Sequence, residues 1–348
     1  MKHFRISILV AIACLAAAGW WGFEHTGWSG ALTAVGVAAI LGIMEVSLSF
    51  DNAVVNASVL KTWDEKWQKL FLGVGIIIAV FGMRLVFPLV IVAQAADLGL
   101  IEVWNLALNN PRAYSEHLTS NHAQVAAFGG MFLLLVFLNF LFDDEKEIHW
   151  LGWIERHLGA LGKLKAVTVM ISLGALMASM GLVEEAHKMS VLMSGLWGIL
   201  VYVGVDAISG LLESGEKEGG VGDMVKRGGI GAFLYLEVLD ASFSFDGVIG
   251  AFAITTDVVI IMLGLAIGAM FVRSMTVYLV KKGTLDEFVY LEHGAHYAIG
   301  ILALIMLASM KYHIPELFTG LVGVAFIVAA LYSSLKYRKE QAQLPAAA

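Results

Sequence analysis

Apolar stretches separated by short polar segments recur along the whole chain, near residues 7–22, 31–60, 70–96, 123–142, 165–183, 189–211, 229–254, 258–280, 293–310 and 315–335. About 20 helical residues cross the hydrocarbon core of a bilayer, and most of these stretches reach that length. The pattern predicts an all-α polytopic membrane protein with about ten transmembrane helices. Composition strengthens the reading: 59% of residues are hydrophobic, 15% are charged and the mean hydropathy is +0.80, which no soluble core explains.

Charge then orients the chain. The formal charge is −7, with no basic footprint for nucleic acid. Cytoplasmic loops of membrane proteins collect Lys and Arg. With the N-terminus inside, the cytoplasmic segments hold Lys2, Arg5, Lys61, Lys66, Lys69, Lys146, Arg156, Lys163, Lys165, Lys217, Lys226, Arg227, Lys281, Lys282, Lys336, Arg338 and Lys339, out of 22 such residues. Arg112, Lys188 and Lys311 fall on the opposite side, and Arg84 and Arg273 lie within apolar stretches. Both termini are therefore expected in the cytoplasm of a cell with an inner plasma membrane. The lone Cys14 excludes an intrachain disulfide.

Five units follow. Residues 1–30 are an N-terminal anchor helix; a signal peptide is the other option, but Trp20, Trp21 and Phe23 stand where a small-residue cleavage site belongs. Residues 31–142 form a first repeat, 143–228 connecting helices and a cytoplasmic linker, 229–311 a second repeat, and 312–348 a final helix and cytoplasmic tail. At the end of the third unit, Glu213–Gly229 reads as a flexible cytoplasmic linker running up to the second repeat.

The repeat rests on two segments, Leu41–Ala57 (LGIMEVSLSFDNAVVNA) and Tyr235–Ala251 (YLEVLDASFSFDGVIGA). Superposing Asp51 on Asp246 aligns Glu45 with Asp240, Ser49 with Ser244 and Asn52 with Gly247. A helix with an internal arginine follows each, Arg84 in one and Arg273 in the other. As the second and seventh spans, the two segments would cross in opposite directions. Inverted repeats of this kind are built into secondary transporters, which bind substrate at the repeat interface.

Each carboxylate at the centre of a span costs roughly 2.5 to 3.5 kcal/mol, so Glu45, Asp51, Glu237, Asp240 and Asp246 together cost on the order of 10 kcal/mol. Such acids are kept for a purpose. Helical spacing gathers Glu45, Ser49, Asn52 and Asn56 into one stripe and Asp240 and Ser244 into another. Asp51 and Asp246 fall on a different face of a regular helix, so either both faces are buried or the helix breaks near Asn52 and Gly247. The donors are carboxylate, hydroxyl and amide oxygens, suited to Mg, Ca and Mn, with no His or Cys to favour zinc or copper. Glu45, Asp51, Asp240, Asp246, Ser49, Asn52 and Ser244 are the candidate metal ligands. Glu237, Arg84, Arg273 and Asn56 are expected to support them or couple protons, each arginine holding a carboxylate.

The motifs resemble the TerC family of tellurium-resistance-associated membrane proteins, which includes manganese exporters. Glu45 followed by Leu48-Ser49-Phe50-Asp51-Asn52 matches its first motif. Asp240, Phe243 and Asp246, with Ala251-Phe252-Ala253-Ile254-Thr255-Thr256-Asp257 downstream and Arg273 sixteen residues on, match its second. The resemblance spans roughly residues 40 to 90 and 235 to 280. It departs at Gly247, where the family has Ser, and at Leu265, where it has Asn, as in a divergent branch. It implies a transporter exporting a divalent cation, manganese first; protonation of part of the acid set would return the carrier, which makes metal/proton antiport the expected coupling.

Several further features complete the list. Glu292, His293 and His296 are weaker metal candidates at the start of the ninth span, and Asp206 is an isolated acid in the sixth. Glu184, Glu185 and His187 read as interfacial, and Asp97–His122 as a short helical lid. The expected partners are the lipid bilayer and the transported cation, with no permanently bound cofactor. An enzyme is not expected, since no H-E-x-x-H motif is present. A membrane scaffold or metal sensor in stress resistance, and an exporter of a small organic solute such as an amino acid, are the alternatives.

Overall fold

A computed structural model describes residues 4–75, 77–143, 146, 148–159, 166–212, 228–282 and 288–343, and among them no strand occurs. The first element, α1 (Arg5–Leu48), would be about 66 Å long if straight, twice a bilayer core. It folds back instead. Thr26 and Gly27 leave helical geometry, Gly27 with φ 68°, a left-handed value suited to glycine. The two arms then touch through glycine, since a Cβ at Gly22 would collide with the Gly30 carbonyl and the Ala34 methyl.

After a turn at Ser49 come α2 (Phe50–Leu60) and α3 (Glu65–Leu70), then two π-helical segments, Phe71–Gly75 and Ile78–Val86, and α4 (Phe87–Ala96). The expected lid consists of two short helices, α5 (Leu100–Asn109) and α6 (Pro111–Ser120). Next are α7 (His122–Leu141), α8 (Gly152–Gly159), α9 (Ala166–Ser179) and α10 (Lys188–Leu212). The chain finishes with α11 (Ile230–Ile254), α12 (Val258–Lys282), α13 (Leu291–Ser309) and α14 (Glu316–Gln343).

Among the described residues, six helices are long and apolar enough to cross a membrane: α1, α7, residues 185–205 of the α10 region, α12, α13 and most of α14. This is fewer than the expected ten, for physical reasons. Ser49 separates α2 from α1, residues 166–182 are short, the Arg84 region is π-helical, and α11 carries Glu237, Asp240 and Asp246. The inverted repeat is likewise not established by this architecture.

Burial sorts the helices into layers. The apolar windows of α7 and α13 are 67% buried, whereas those of α1 and α14 are 28% and 22% buried, so the first pair is the centre and the second the rim. α7 packs on α10 and α13, and α13 on α14. Phe132, Leu133 and Leu135 of α7 join Leu236 and Leu239 of α11 and Ile299 of α13 in the main core. On the other side, α12 packs against α1 and α2, while α11 packs against the second π-helical segment.

The first arm of α1 is fixed to α12 at two points. The Ser7 hydroxyl lies 2.7 Å from that of Ser274, and Trp21 Nε1 donates to Asp257 at 2.9 Å. Asp257 also accepts the Val259 and Ile260 amides at 2.9 and 3.1 Å, capping the start of α12. The last residue of the Ala251–Asp257 motif therefore has a structural task.

Candidate functional site

The two motif segments meet inside the protein. Glu45, Ser49, Asn52, Asn56, Arg84, Glu237, Asp240 and Ser244 are all buried. The Asn52 amide donates to Asp240 Oδ1 at 2.5 Å, and the Asn56 amide donates to the same oxygen at 3.3 Å. α2 thus reaches across to α11 through one carboxylate oxygen.

Glu45 is held by its own half of the chain and seated against glycines of the other. Its Oε1 accepts the Ser49 hydroxyl at 3.0 Å and a guanidinium N–H of Arg84. A Cβ at Gly247 would lie 2.7 Å from Glu45 Oε2, and a Cβ at Gly268 would fall on the Glu45 side chain. Glycine at these two positions is what admits the carboxylate. The expected helix break occurs in one copy only. Ser49 leaves helical geometry with φ −101° and ψ 18°, while α11 runs on through Gly247. The break is slight, because the Ser49 amide still donates to Glu45 O and the Ala53 amide to Ser49 O.

The two arginines differ in what they hold, contrary to the expectation that each grips a carboxylate. Arg84 pairs with Glu45. Arg273 donates from Nε to the Leu72 carbonyl at 2.7 Å, bracing the first π-helical segment. Wide π turns leave backbone carbonyls reachable from the side, and the guanidinium takes one.

Glu237 lies one turn before Asp240, and neither of its oxygens has a hydrogen-bond partner among the described residues. It abuts the same π-helical segment so closely that a Cβ at Gly75 would be 2.5 Å from its Oε1. Asn56 Oδ1 and Ser244 Oγ are also buried without a partner among those residues. Beside these groups is a cavity of about 40 Å³ lined by Asn56, Gly75, Arg84, Asp240, Arg273 and Thr276 among others. That is room for one or two water-sized species. A larger cavity of about 400 Å³ lies near the other end of α11, against Ile249 and Phe252, about 14 Å along the helix from Asp240.

Asp51 and Asp246 lie on the helical backbone of α2 and α11, but their side chains, like that of Asp206, are outside the described residues, as are residues 213–227 of the linker. Among the described residues, no three His, Cys, Asp or Glu side chains form a metal-holding group. Glu292, His293 and His296 in particular do not converge. A ring nitrogen of His296 sits 2.9 Å from the Glu292 carbonyl and its ring stacks on Phe140 at 4.0 Å, whereas His293 faces the Ile148 carbonyl at 2.9 Å and Glu292 is exposed. Sequence reasoning missed Gly75 and Gly268 as packing partners of the acids, and Glu155 altogether. Gly268 had a signal, since Gly264 and Gly268 are spaced as a close-packing pair.

The DUF475 sequence family, described as a protein of unknown function, matches residues 50–341, well over half of the chain. The chain belongs to the DUF475 family. This corrects the TerC resemblance: the short motifs around Asp51 and Asp246 are similar to those of TerC proteins, but the match over the chain's length is to DUF475, and no match found names TerC. Among curated proteins, the uncharacterized membrane protein YceF of Bacillus subtilis (strain 168) is 30% identical over 129 residues, 36% of this chain and 49% of that protein. The chain thus spans about half the length of the curated relative it matches. No solved structure matches. This DUF475 chain is a membrane protein with apolar helices long enough to span a bilayer.

Proposed function

We propose that this DUF475 protein is a secondary transporter that moves a divalent cation with oxygen ligands, manganese being the cation to test first, through the buried centre at Glu45 and Asp240. One observation carries the reading. Asn52 and Asn56 of one segment hold the Asp240 carboxylate of the similar segment beside a small cavity lined by Asn56, Arg84 and Asp240, with the Asn56 oxygen and the Ser244 hydroxyl buried and without partners among the described residues. Buried polar atoms are normally satisfied, and a cation with its waters supplies what these lack.

Hard oxygen donors suit Mn, Mg or Ca, whereas zinc and copper favour imidazole or thiolate, and the described side chains of this centre offer oxygens. Asn52 and Asn56 orient Asp240 for the ion, and Arg84 balances Glu45 when no ion is present. The crosswise packing of α2 on α12 and of the π-helical segment on α11 supports an inverted-repeat carrier that rocks about this centre. Export from the cytoplasm, driven by proton antiport, completes the reading.

The Arg84–Glu45 pair favours one competing reading, a scaffold or sensor in which the acids only hold helices together. Purified protein in liposomes separates the two. Wild type is expected to carry Mn and to respond to a pH gradient, while Asp240→Asn with Glu45→Gln abolishes flux in a protein that remains folded. Equal flux in both, or flux of no cation in either, would reject transport through these acids.

A further inference from the structure

The larger cavity, of about 400 Å³, is built by parts of the chain that the cation centre does not use. Its walls come from α6, the first residue of α7, the far end of α11, the last turns of α13, the connection that follows it and the start of α14. Ile249 and Phe252 of α11, with Ile305 of α13, make an apolar floor. Around it stand Lys311, His122 and His313, with the hydroxyls of Ser115 on α6 and Thr319 on α14. Among the described lining residues there is no carboxylate. The volume lies within the roughly 300–1,000 Å³ of small-molecule sites, and an apolar wall with a few polar groups is their usual make-up.

The cationic groups of this cavity are left open for a ligand. Of the three basic residues that the charge pattern assigns to the side opposite the termini, two have an acid beside them: Arg112 Nε lies 3.2 Å from Glu116, and Lys188 Nζ 2.5 Å from Glu185. Lys311 differs. Its exposed ammonium has no carboxylate partner among the described residues, and it sits 5.7 Å from the centroid of the adjacent Tyr312 ring. The half-buried His122 and the exposed His313 likewise make no side-chain hydrogen bond to a described residue. An imidazole carries at least one N–H in either charge state and an ammonium carries three, so all three side chains are donors to an anion. Such a lining repels a metal cation, opposite in sense to the acids of the centre about 14 Å away along α11.

We propose that this cavity is a binding site for a small organic monocarboxylate with a compact apolar body, its carboxylate on Lys311 and the two imidazoles and its body on Ile249, Phe252 and Ile305. Both parts of the ligand are needed. An inorganic oxyanion would leave the apolar floor in water, and a neutral hydrocarbon would leave the ammonium unanswered. The floor supplies affinity through buried apolar area, and the charge-assisted contact with Lys311 selects the anion. The inference stands apart from the transport reading: its residues are not those of the cation centre, and its readout involves no metal.

Saturation-transfer NMR on the full chain in nanodiscs of neutral lipid, with the signal of empty nanodiscs subtracted, tests it with benzoate as the probe. Wild type is expected to give a saturable benzoate signal, while benzylammonium, a similar ring with the opposite charge, gives none. Inorganic phosphate at the benzoate concentration is expected to displace little of it. Lys311→Gln, at an exposed position whose side chain touches only the Tyr312 ring, should weaken benzoate binding about tenfold or more, the usual loss of a hydrogen bond to a charged group. Lys311→Arg keeps the charge and should bind within about threefold of wild type. A benzoate signal no greater than that of empty nanodiscs, an equal signal from benzylammonium, full displacement by phosphate, or unchanged affinity in Lys311→Gln would overturn the site.

Discussion

Replacing Gly268 with alanine probes how the Glu45 carboxylate is seated. A methyl group there would fall on the β and γ carbons of Glu45 and lie 3.0 Å from the Gly42 carbonyl oxygen. One turn earlier, a methyl at Gly264 would be 2.6 Å from Leu41 Cβ and 3.0 Å from the Ala38 carbonyl oxygen, so the second arm of α1 rides directly on the backbone of α12. Neither contact at residue 268 involves the loose end of a side chain. Glu45 is tied through Ser49 and Arg84, and the other neighbour is main chain. The arm must shift, and overpacking of this kind costs about 1–3 kcal/mol. Contacts with both Glu45 carbons well inside van der Waals distance place the cost in the upper part of that range, about 2–3 kcal/mol, and alanine returns about 1 kcal/mol through helix propensity, leaving a net loss of about 1–2 kcal/mol. At about 2–4 °C per kcal/mol for a large domain, the thermal midpoint should fall by roughly 2–8 °C. Tryptophan fluorescence during heating in detergent would read it. Gly36→Ala is the internal control, on the same arm with nothing within 4 Å, and should melt at or above wild type. Manganese flux should fall more than stability does, because the shift moves a carboxylate of the centre. A Gly268→Ala protein that melts and transports like wild type would refute both the socket and its role.

Two other substitutions test the framework around the site. Asp257→Ala removes the cap on the Val259 and Ile260 amides and the partner of Trp21, at a cost of about 1 kcal/mol; exchange at the first turn of α12 should quicken about fivefold, and an unchanged rate would show that the cap carries no stability. Gly75→Ala drives a methyl to 2.5 Å from Glu237 Oε1 and should depress flux while shifting the thermal midpoint by less than about 3 °C; unaltered flux would show that the contact between Glu237 and the π-helical segment has no part in transport.

The membrane-embedded helical character was legible because it depends on the length and spacing of apolar runs, which are properties of the sequence itself. The meeting of the two motif segments was legible for a related reason: buried acids that recur in the same register must face protein, and the Asn residues a turn or more away mark the facing side. What the motifs could not convey is how space and neighbours divide labour among similar residues. Gly247 stands opposite Asn52 in the repeat and reads as a place for α11 to unwind, yet α11 continues through it and the missing side chain makes room for Glu45 Oε2. Arg84 and Arg273 each lie in the helix that follows a motif segment, but the partner within reach of the first is a carboxylate and of the second a main-chain carbonyl in a widened helix. Glu155 sits in a short amphipathic segment where an acid usually meets water, and it is buried only because α13 brings Tyr297 and His293 over it. The TerC resemblance failed for the same reason. A motif of a few residues records which atoms face a site, whereas family membership is recorded by the packing of the whole chain, and here that record spans residues 50–341. The acids at 45, 155, 237 and 240 share one chemistry, and it is the partner presented to each, an arginine, a tyrosine with a lysine, a glycine wall or a pair of asparagines, that sets them apart.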